Sequence, residues 1–221
     1  MLNSLFITAT DTGVGKTTVS AAICKLLKEK GIKVAYFKPV ETGCEPVPQD
    51  AYTLSKITGQ PLEEVVLYTF ENPVAPYTAT LLEGKEIDLQ KIINHYNYLK
   101  SKYDFVLVEG AGGLLVPIKK NYTYLNLIED LNVPVLIVSR ASLGTINHTA
   151  LTVKALEGKQ IIGIVMNGFS GKDVSEETNP QIIQEMTGIK VLAKCKKSKQ
   201  PVDECYSKLL GRFFIQLLEK R

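Results

Sequence analysis

The sequence predicts an α/β protein, a doubly wound and mostly parallel sheet with helices on both faces, in a single domain spanning residues 1–221. Three observations predict it. Short, continuous, β-branched apolar runs recur along the chain, and helix-like segments separate them. No internal repeat, low-complexity tract or long linker interrupts that alternation. Apolar runs that are continuous rather than alternating mark strands buried on both faces, the habit of parallel sheets.

Leu5-Phe6-Ile7 is the first strand, followed by a Gly-containing turn and an amphipathic stretch from Thr17 to Lys30 that Gly31 ends. Val34-Ala35-Tyr36-Phe37 is the second strand, with Lys38 at its end. A polar helix-like segment from Leu89 to Ser101 leads to the third, Phe105 to Val108, which runs into Glu109. Val133 to Val138 is the fourth, and Ile161 to Val165 the fifth, with Asn167 closing it. Val202 to Leu218 reads as a C-terminal amphipathic helix offering Leu209, Phe213, Phe214, Leu217 and Leu218 for packing. The Pro- and Gly-rich stretches Pro39 to Asp50 and Asn72 to Thr80 are expected to be irregular, functional loops.

Composition narrows the function class. A chain of 221 residues with 45% hydrophobic and 22% charged residues can bury a core without staples. A net charge of +3 argues for neither a nucleic-acid nor a membrane-surface partner. No apolar run approaches the ~20 residues of a membrane span, and the first residues lack the basic start of a signal peptide. The four cysteines, Cys24, Cys44, Cys195 and Cys205, form no CxxC pair, which suits a reducing cytoplasm. Cytoplasmic residence is therefore expected.

The sharpest motif is Thr10-Asp11-Thr12-Gly13-Val14-Gly15-Lys16-Thr17, directly after the first strand and before the first helix. Small residues let backbone N–H groups crowd around phosphate oxygens, and a helix N-terminus adds partial positive charge. Lys16 can then reach β- and γ-phosphates while the Thr17 hydroxyl ligates Mg²⁺. Thr10 stands where GxxxxGK[ST] has its first Gly, but Gly-Lys-Thr-Thr is intact. The fold is thus expected to be P-loop NTPase-like.

Glu109 ends an apolar strand at the sheet edge where α/β proteins bind ligands, and suits the acidic Mg²⁺ partner of P-loop enzymes. Alone it would be an exposed turn Glu. Gly110, Ala111 and Gly112 after it let backbone approach a ligand. Lys38 at a strand end can stabilise charge that develops in phosphoryl transfer, or be an ordinary surface lysine.

Thr-Asp-Thr-Gly-Val-Gly-Lys-Thr, Lys38-Pro39-Val40-Glu41-Thr42-Gly43, Val108-Glu109-Gly110-Ala111-Gly112-Gly113 and Leu143-Gly144-Thr145-Ile146-Asn147-His148 follow one another along the chain. These four motifs in this order resemble the dethiobiotin synthetase family. Tyr68-Thr69-Phe70 with Pro73, Ala75 and Pro76 is similar to the family's middle segment, and the resemblance runs from about Leu5 to Asn167.

The resemblance implies an ATP- and Mg²⁺-dependent ligase of biotin biosynthesis. It would close the ureido ring of dethiobiotin from 7,8-diaminopelargonate and CO2 or bicarbonate through a carbamic–phosphoric anhydride. Gly13, Val14, Gly15, Lys16, Thr17 and Thr18 would wrap the phosphates, with Gly110, Ala111 and Gly112 alongside. Thr17, Asp50 and Glu109 would hold Mg²⁺, and Lys16 and Lys38 would be catalytic. Thr12, Thr42 and Gly112 would contact the diamine. Family dimers complete the site from the partner chain, here through Gly144, Thr145, Ile146 and Asn147, so a homodimer is implied. Read by itself, Gly144-Thr145 is equally an ordinary helix start. Asn167 looks like the family's base-binding Asn, or a turn Asn.

There are departures and rivals. Ala9 stands where family members commonly carry Gly, and Val191 to Lys197 lacks the Gly-x-x-Pro-like loop that frames the base. The Lys194 to Lys199 run reads as a solvated loop or an attraction for a triphosphate. His95 and His148 have no partners suggesting catalysis or a metal, and Cys24 reads as core. The alternative function is a nucleotide-switched ATPase of the partition or septum-positioning type. Those carry a signature Lys five residues before the P-loop Lys, where this chain has Asp11.

Overall fold

A computed structural model describes residues 2–210. In chain order the elements are β1 (Ser4–Ala9), α1 (Lys16–Glu29), β2 (Val34–Thr42), α2 (Gln49–Thr58), α3 (Leu62–Val65), β3 (Val66–Phe70), α4 (Pro76–Glu83), α5 (Leu89–Lys102) and β4 (Phe105–Glu109). There follow β5 (Pro117–Lys119), β6 (Tyr122–Thr123), α6 (Tyr124–Leu131), β7 (Val135–Arg140), α7 (Thr145–Ala155), β8 (Ile161–Phe169), α8 (Ser175–Thr187), β9 (Val191–Lys196) and α9 (Pro201–Leu209). Seven strands form one sheet in the order β3-β2-β4-β1-β7-β8-β9, every neighbouring pair parallel, and β5-β6 is a small antiparallel pair.

The two-sided burial expected of the strands is visible residue by residue. Leu5, Ile7 and Ala9 of β1 pack with α1 on one side, together with Tyr36, Leu107, Leu136 and Val138. Phe6, Ala35, Phe37, Val106, Val108 and Ile137 face the other side, against Tyr96, Leu127 and Ile128 of α5 and α6. Cys24 lies fully buried in the first of these layers. Each large aliphatic side chain so placed contributes roughly 1.5–3 kcal/mol relative to exposure.

Several sequence expectations need correction. Lys38 does not end its strand, because β2 runs on through Pro39 to Thr42. Its register with β4 stops at Phe37, and from Lys38 onward β3 is the partner, so Pro39 sits where one side of the strand is free. The region expected to be a loop from Pro39 to Asp50 is therefore strand, a short loop and the start of α2. Likewise, the Asn72 to Thr80 stretch becomes α4 from Pro76, with Pro at the first helical position. Asn167 lies within β8 rather than closing it.

The Lys194 to Lys199 run, expected to be a solvated loop, begins inside the edge strand β9, where Ala193 and Cys195 point inward and Lys194 and Lys196 outward. The C-terminal helix is described over Pro201–Leu209, where Leu209 is buried. Phe213, Phe214, Leu217 and Leu218 lie outside the described residues.

Candidate active site

β1, β2 and β4 end beside one another, and the turn from β1 into α1 crosses above them. That turn needs glycine at two places: Gly13 has φ +72° and Gly15 φ +100°, both left-handed. Gly15 is also the N-cap of α1, so the helix N-terminus opens on this side. Here lies a cleft of about 330 Å³ lined by Thr12, Gly13, Gly15, Lys16, Thr17, Lys38, Glu41, Thr42, Asp50, Glu109, Ala111 and Gly112.

Its charges are interlocked. Lys16 Nζ donates to the Gly112 carbonyl at 2.7 Å. The Thr17 hydroxyl donates to Glu109 Oε1 at 3.0 Å, and the Ser20 hydroxyl to Oε2 at 2.6 Å. Glu109 is fully buried, so these donors, with Lys38 Nζ at 3.3 Å, stabilise its charge. Lys38 Nζ also donates to Asp50, which places the ammonium between two carboxylates. Burial alone would lower the Lys38 pKa, but Glu109, Asp50 and Glu41 together hold it above its usual value. Burial pushes Lys16 the other way, below its ordinary range, against the pull of Glu109 and with a further push from Lys38.

Thr17, Asp50 and Glu109 offer a hydroxyl and two carboxylates, all hard oxygen donors. Among the described residues no three His, Cys, Asp or Glu converge on one point. A Mg²⁺ ion, which keeps waters and phosphate oxygens and takes one or two carboxylates, fits such a set.

A second cavity, about 640 Å³, opens on the other side of the turn. Gly13, Val14, Arg140, Asn167, Gly168, Lys196 and Lys197 are among its walls. Asn167 Nδ2 donates to the Val14 carbonyl at 2.9 Å, and a Cβ on Gly15 would sit 2.1 Å from that nitrogen. Asp11 pairs with Arg140 at 2.7 Å.

Among the residues singled out from the sequence, Thr12, Gly13, Gly15, Lys16, Thr17, Lys38, Thr42, Asp50, Glu109, Ala111 and Gly112 meet in the first cleft. Val14 and Asn167 border the second. Thr18, on the first turn of α1, lines neither cavity, and Gly110 spends its N–H on the Ile7 carbonyl. Gly144, φ +90°, caps α7, and Thr145, Ile146 and Asn147 form its first turn and line neither cavity. Thr145 is buried, with its hydroxyl against that of Thr149, whereas Asn147 is exposed.

Two polar residues of the site escaped the sequence reading. Ser20 lies one helical turn beyond Lys16 and supports Glu109. Glu41, three residues after Lys38, accepts from the N–H groups of Asp50 and Ala51 at 2.9 Å each. The i+4 offset of Ser20 from Lys16 was a usable signal; nothing in the spacing of Glu41 marked its partner. His95 is structural, its Nε2 against the Glu64 carbonyl and its ring beside Phe37 and Tyr98.

Fold and cleft together define a P-loop nucleotide-binding protein. A family model described as an AAA domain matches residues 3–203. The ATP-dependent dethiobiotin synthetase of Aquifex aeolicus is 59% identical over 189 residues, covering 84% of this chain and 86% of its own length. That of Hydrogenobaculum sp. is 45% identical, covering 82% and 84%, and that of Bacillus licheniformis 40%, covering 86% and 84%. The chain belongs to the dethiobiotin synthetase family.

Among solved structures, the MinC:MinD cell division complex of Aquifex aeolicus aligns with TM-score 0.58 at 20% identity, covering 99% of this chain and 89% of that one. A ParA family ATPase from Chlorobium tepidum aligns with TM-score 0.58 at 13% identity, covering 100% and 99%. At these identities the likeness shows the fold alone. Among the described residues no helix is long and apolar enough to cross a membrane.

Proposed function

We propose that this chain, acting as one unit over residues 1–221, is an ATP- and Mg²⁺-dependent dethiobiotin synthetase. The observation that carries the reading is the meeting of Lys16, Lys38, Thr17, Asp50 and Glu109 in one cleft at the N-terminus of α1. The substrates are 7,8-diaminopelargonate, CO2 and ATP. One amine of the diamine adds to CO2 and loses a proton, giving a carbamate. A carbamate oxygen attacks the γ-phosphorus, the bond to ADP breaks, and a carbamic–phosphoric anhydride forms. The second amine then attacks the carbonyl carbon and inorganic phosphate leaves, closing the ring.

The carbamate is already a nucleophile, so the protein's part is positioning and charge neutralisation. Backbone N–H groups from Gly13 to Thr17 receive phosphate oxygens. The Lys16 ammonium exchanges the Gly112 carbonyl for the β- and γ-phosphates, and Lys38 faces the oxygens of the transferring group and the carbamate. Thr17, Asp50 and Glu109 would hold Mg²⁺, which when bound neutralises charge developing on the phosphates. Thr12, Thr42 and Gly112 contact the diamine, and Asn167 with Lys196 and Lys197 borders the base. In a homodimer, the partner's α7 N-terminus, Gly144 to Asn147, receives the distal carboxylate. The reaction belongs in a reducing cytoplasm, in keeping with cysteines that are free.

Phosphate release from ATP, Mg²⁺ and bicarbonate, with and without 7,8-diaminopelargonate, tests the reading, with product mass read in the same tubes. Diamine-dependent release with dethiobiotin formed is the expected result. Release indifferent to the diamine keeps the P-loop and overturns the synthetase.

A further inference from the structure

The second residue missed by the sequence reading sits in a position that the proposed chemistry does not use. Glu41 is 5% exposed and lines the catalytic cleft. Its two carboxylate oxygens take one N–H each, from Asp50 and from Ala51. Those are the second and third residues of α2, whose N–H groups a helix leaves without internal partners. An N-cap side chain normally accepts them, but the N-cap of α2 is Pro48, which carries no acceptor in its side chain. Glu41 therefore caps α2 from a neighbouring strand. The anion also sits at the positive end of the helix.

The consequence falls on Asp50. Its backbone N–H is one of the two groups held, and its side chain points to Lys38, across which Glu109 stands at 3.3 Å. The segment from Gly43 to Pro48 joins the end of β2 to α2; Ala51 and Leu54 hold the body of the helix in the core, and Glu41 fixes its N-terminal end. We infer that Glu41 is a positioning residue whose carboxylate clamps the first turn of α2 and so sets the Asp50 carboxylate opposite Glu109, where a nucleotide-bound divalent cation would be received. The inference rests on the reading of Asp50 as a metal-binding residue given above.

Three measurements on the full chain test it, none of which needs the diamine. The first is calorimetric affinity for a nonhydrolysable ATP analogue, with and without Mg²⁺. Glu41→Ala is expected to lose about tenfold in affinity with Mg²⁺ and to bind as wild type without it, while Glu41→Gln, whose amide keeps one acceptor oxygen, falls between. The second repeats this in an Asp50→Ala background, where Glu41→Ala is expected to add nothing. The third is amide hydrogen exchange over residues 49–52, expected to speed up in Glu41→Ala and less so in Glu41→Gln.

Equal loss with and without Mg²⁺ overturns the inference, as does a full additional loss in the Asp50→Ala background. Unchanged exchange over 49–52 overturns the clamp itself. A wild type that gains nothing from Mg²⁺ overturns the metal assignment of Asp50, and the exchange measurement still decides the clamp. If Glu41→Ala does not fold, Glu41→Gln carries all three comparisons.

Discussion

The cleft beside Lys16 and the larger cavity beside Asn167 share the Gly13 turn, yet they hold their shapes differently. In the first, side chains from two strands and two helices fix one another. Glu109 is gripped by Thr17, Ser20 and Lys38, and Lys38 in turn by Asp50. In the second, Asn167 is anchored to the Val14 carbonyl, while Lys196 and Lys197 are exposed. Buried charges must be partnered, so a cleft built from them has few alternative arrangements. A wall of solvated lysines carries no such constraint. The cleft beside Lys16 is therefore preorganised, and the cavity beside Asn167 leaves room for variation.

The largest effect that would break this comparison is expected from Lys16→Ala. Turnover should fall by roughly a thousandfold or more, as when one preorganised charge partner of a transition state is lost. Thermal unfolding should stay near wild type, because Lys16 is held by a single carbonyl. A folded and substantially active variant would refute the P-loop assignment.

Gly15→Ala strikes both regions at once. The new methyl would demand a left-handed non-glycine residue and would drive Asn167 away. A stability loss of about 1–3 kcal/mol is expected from the backbone alone, read by denaturant unfolding. Nucleotide affinity should drop with it, and unaltered affinity would show that the two sides are uncoupled.

Next in size is Asn147→Ala, expected to raise the diamine KM about tenfold while leaving the ATP KM near wild type, the scale of one hydrogen bond to a charged group. Mixing Lys16→Ala with Asn147→Ala protein should restore activity, since one site in the mixed dimer then has both groups. No restoration would place Asn147 in its own chain's site. The smallest effect belongs to the cavity's rim: Lys196→Ala or Lys197→Ala should change the KM for ATP only a few-fold, as exposed charges are worth about 1 kcal/mol or less. A large change there would show that the cavity beside Asn167 is as tightly built as the cleft beside Lys16.

The same contrast explains what could be read from the sequence. β1, β2, β4, β7 and β8 were legible because their interior position makes them continuous apolar runs. β9 was not, since an edge strand with one wet face alternates Ala193 and Cys195 with lysines and resembles a polar loop. β3 escaped for the same reason, its middle being only partly buried. Lys16 and Thr17 were legible because the glycine-rich turn after β1 places them at a helix start, and Glu109 because it ends an apolar run. Glu41 was not, because its role depends on where α2 begins, and Pro48 with Gln49 carries no N-cap signature. The Gly144 to Asn147 segment was legible as a helix start, which α7 bears out.

The strand order also bears on how the molecule is made. β1 is synthesised before its neighbours and lies at the centre of the sheet, with β4 on one side and β7 on the other. Its first partner, Phe105–Glu109, leaves the ribosome roughly 100 residues later, which at 5–20 residues per second is on the order of 5–20 s. During that interval Leu5, Phe6 and Ile7 lack the neighbours that pair with them in the finished sheet, and the turn from β1 into α1 has no sheet to rest on. The nascent chain is thus exposed to misassembly through the very strand that its catalytic turn requires, and its yield in a cell will depend on what shields those residues until residue 109 emerges.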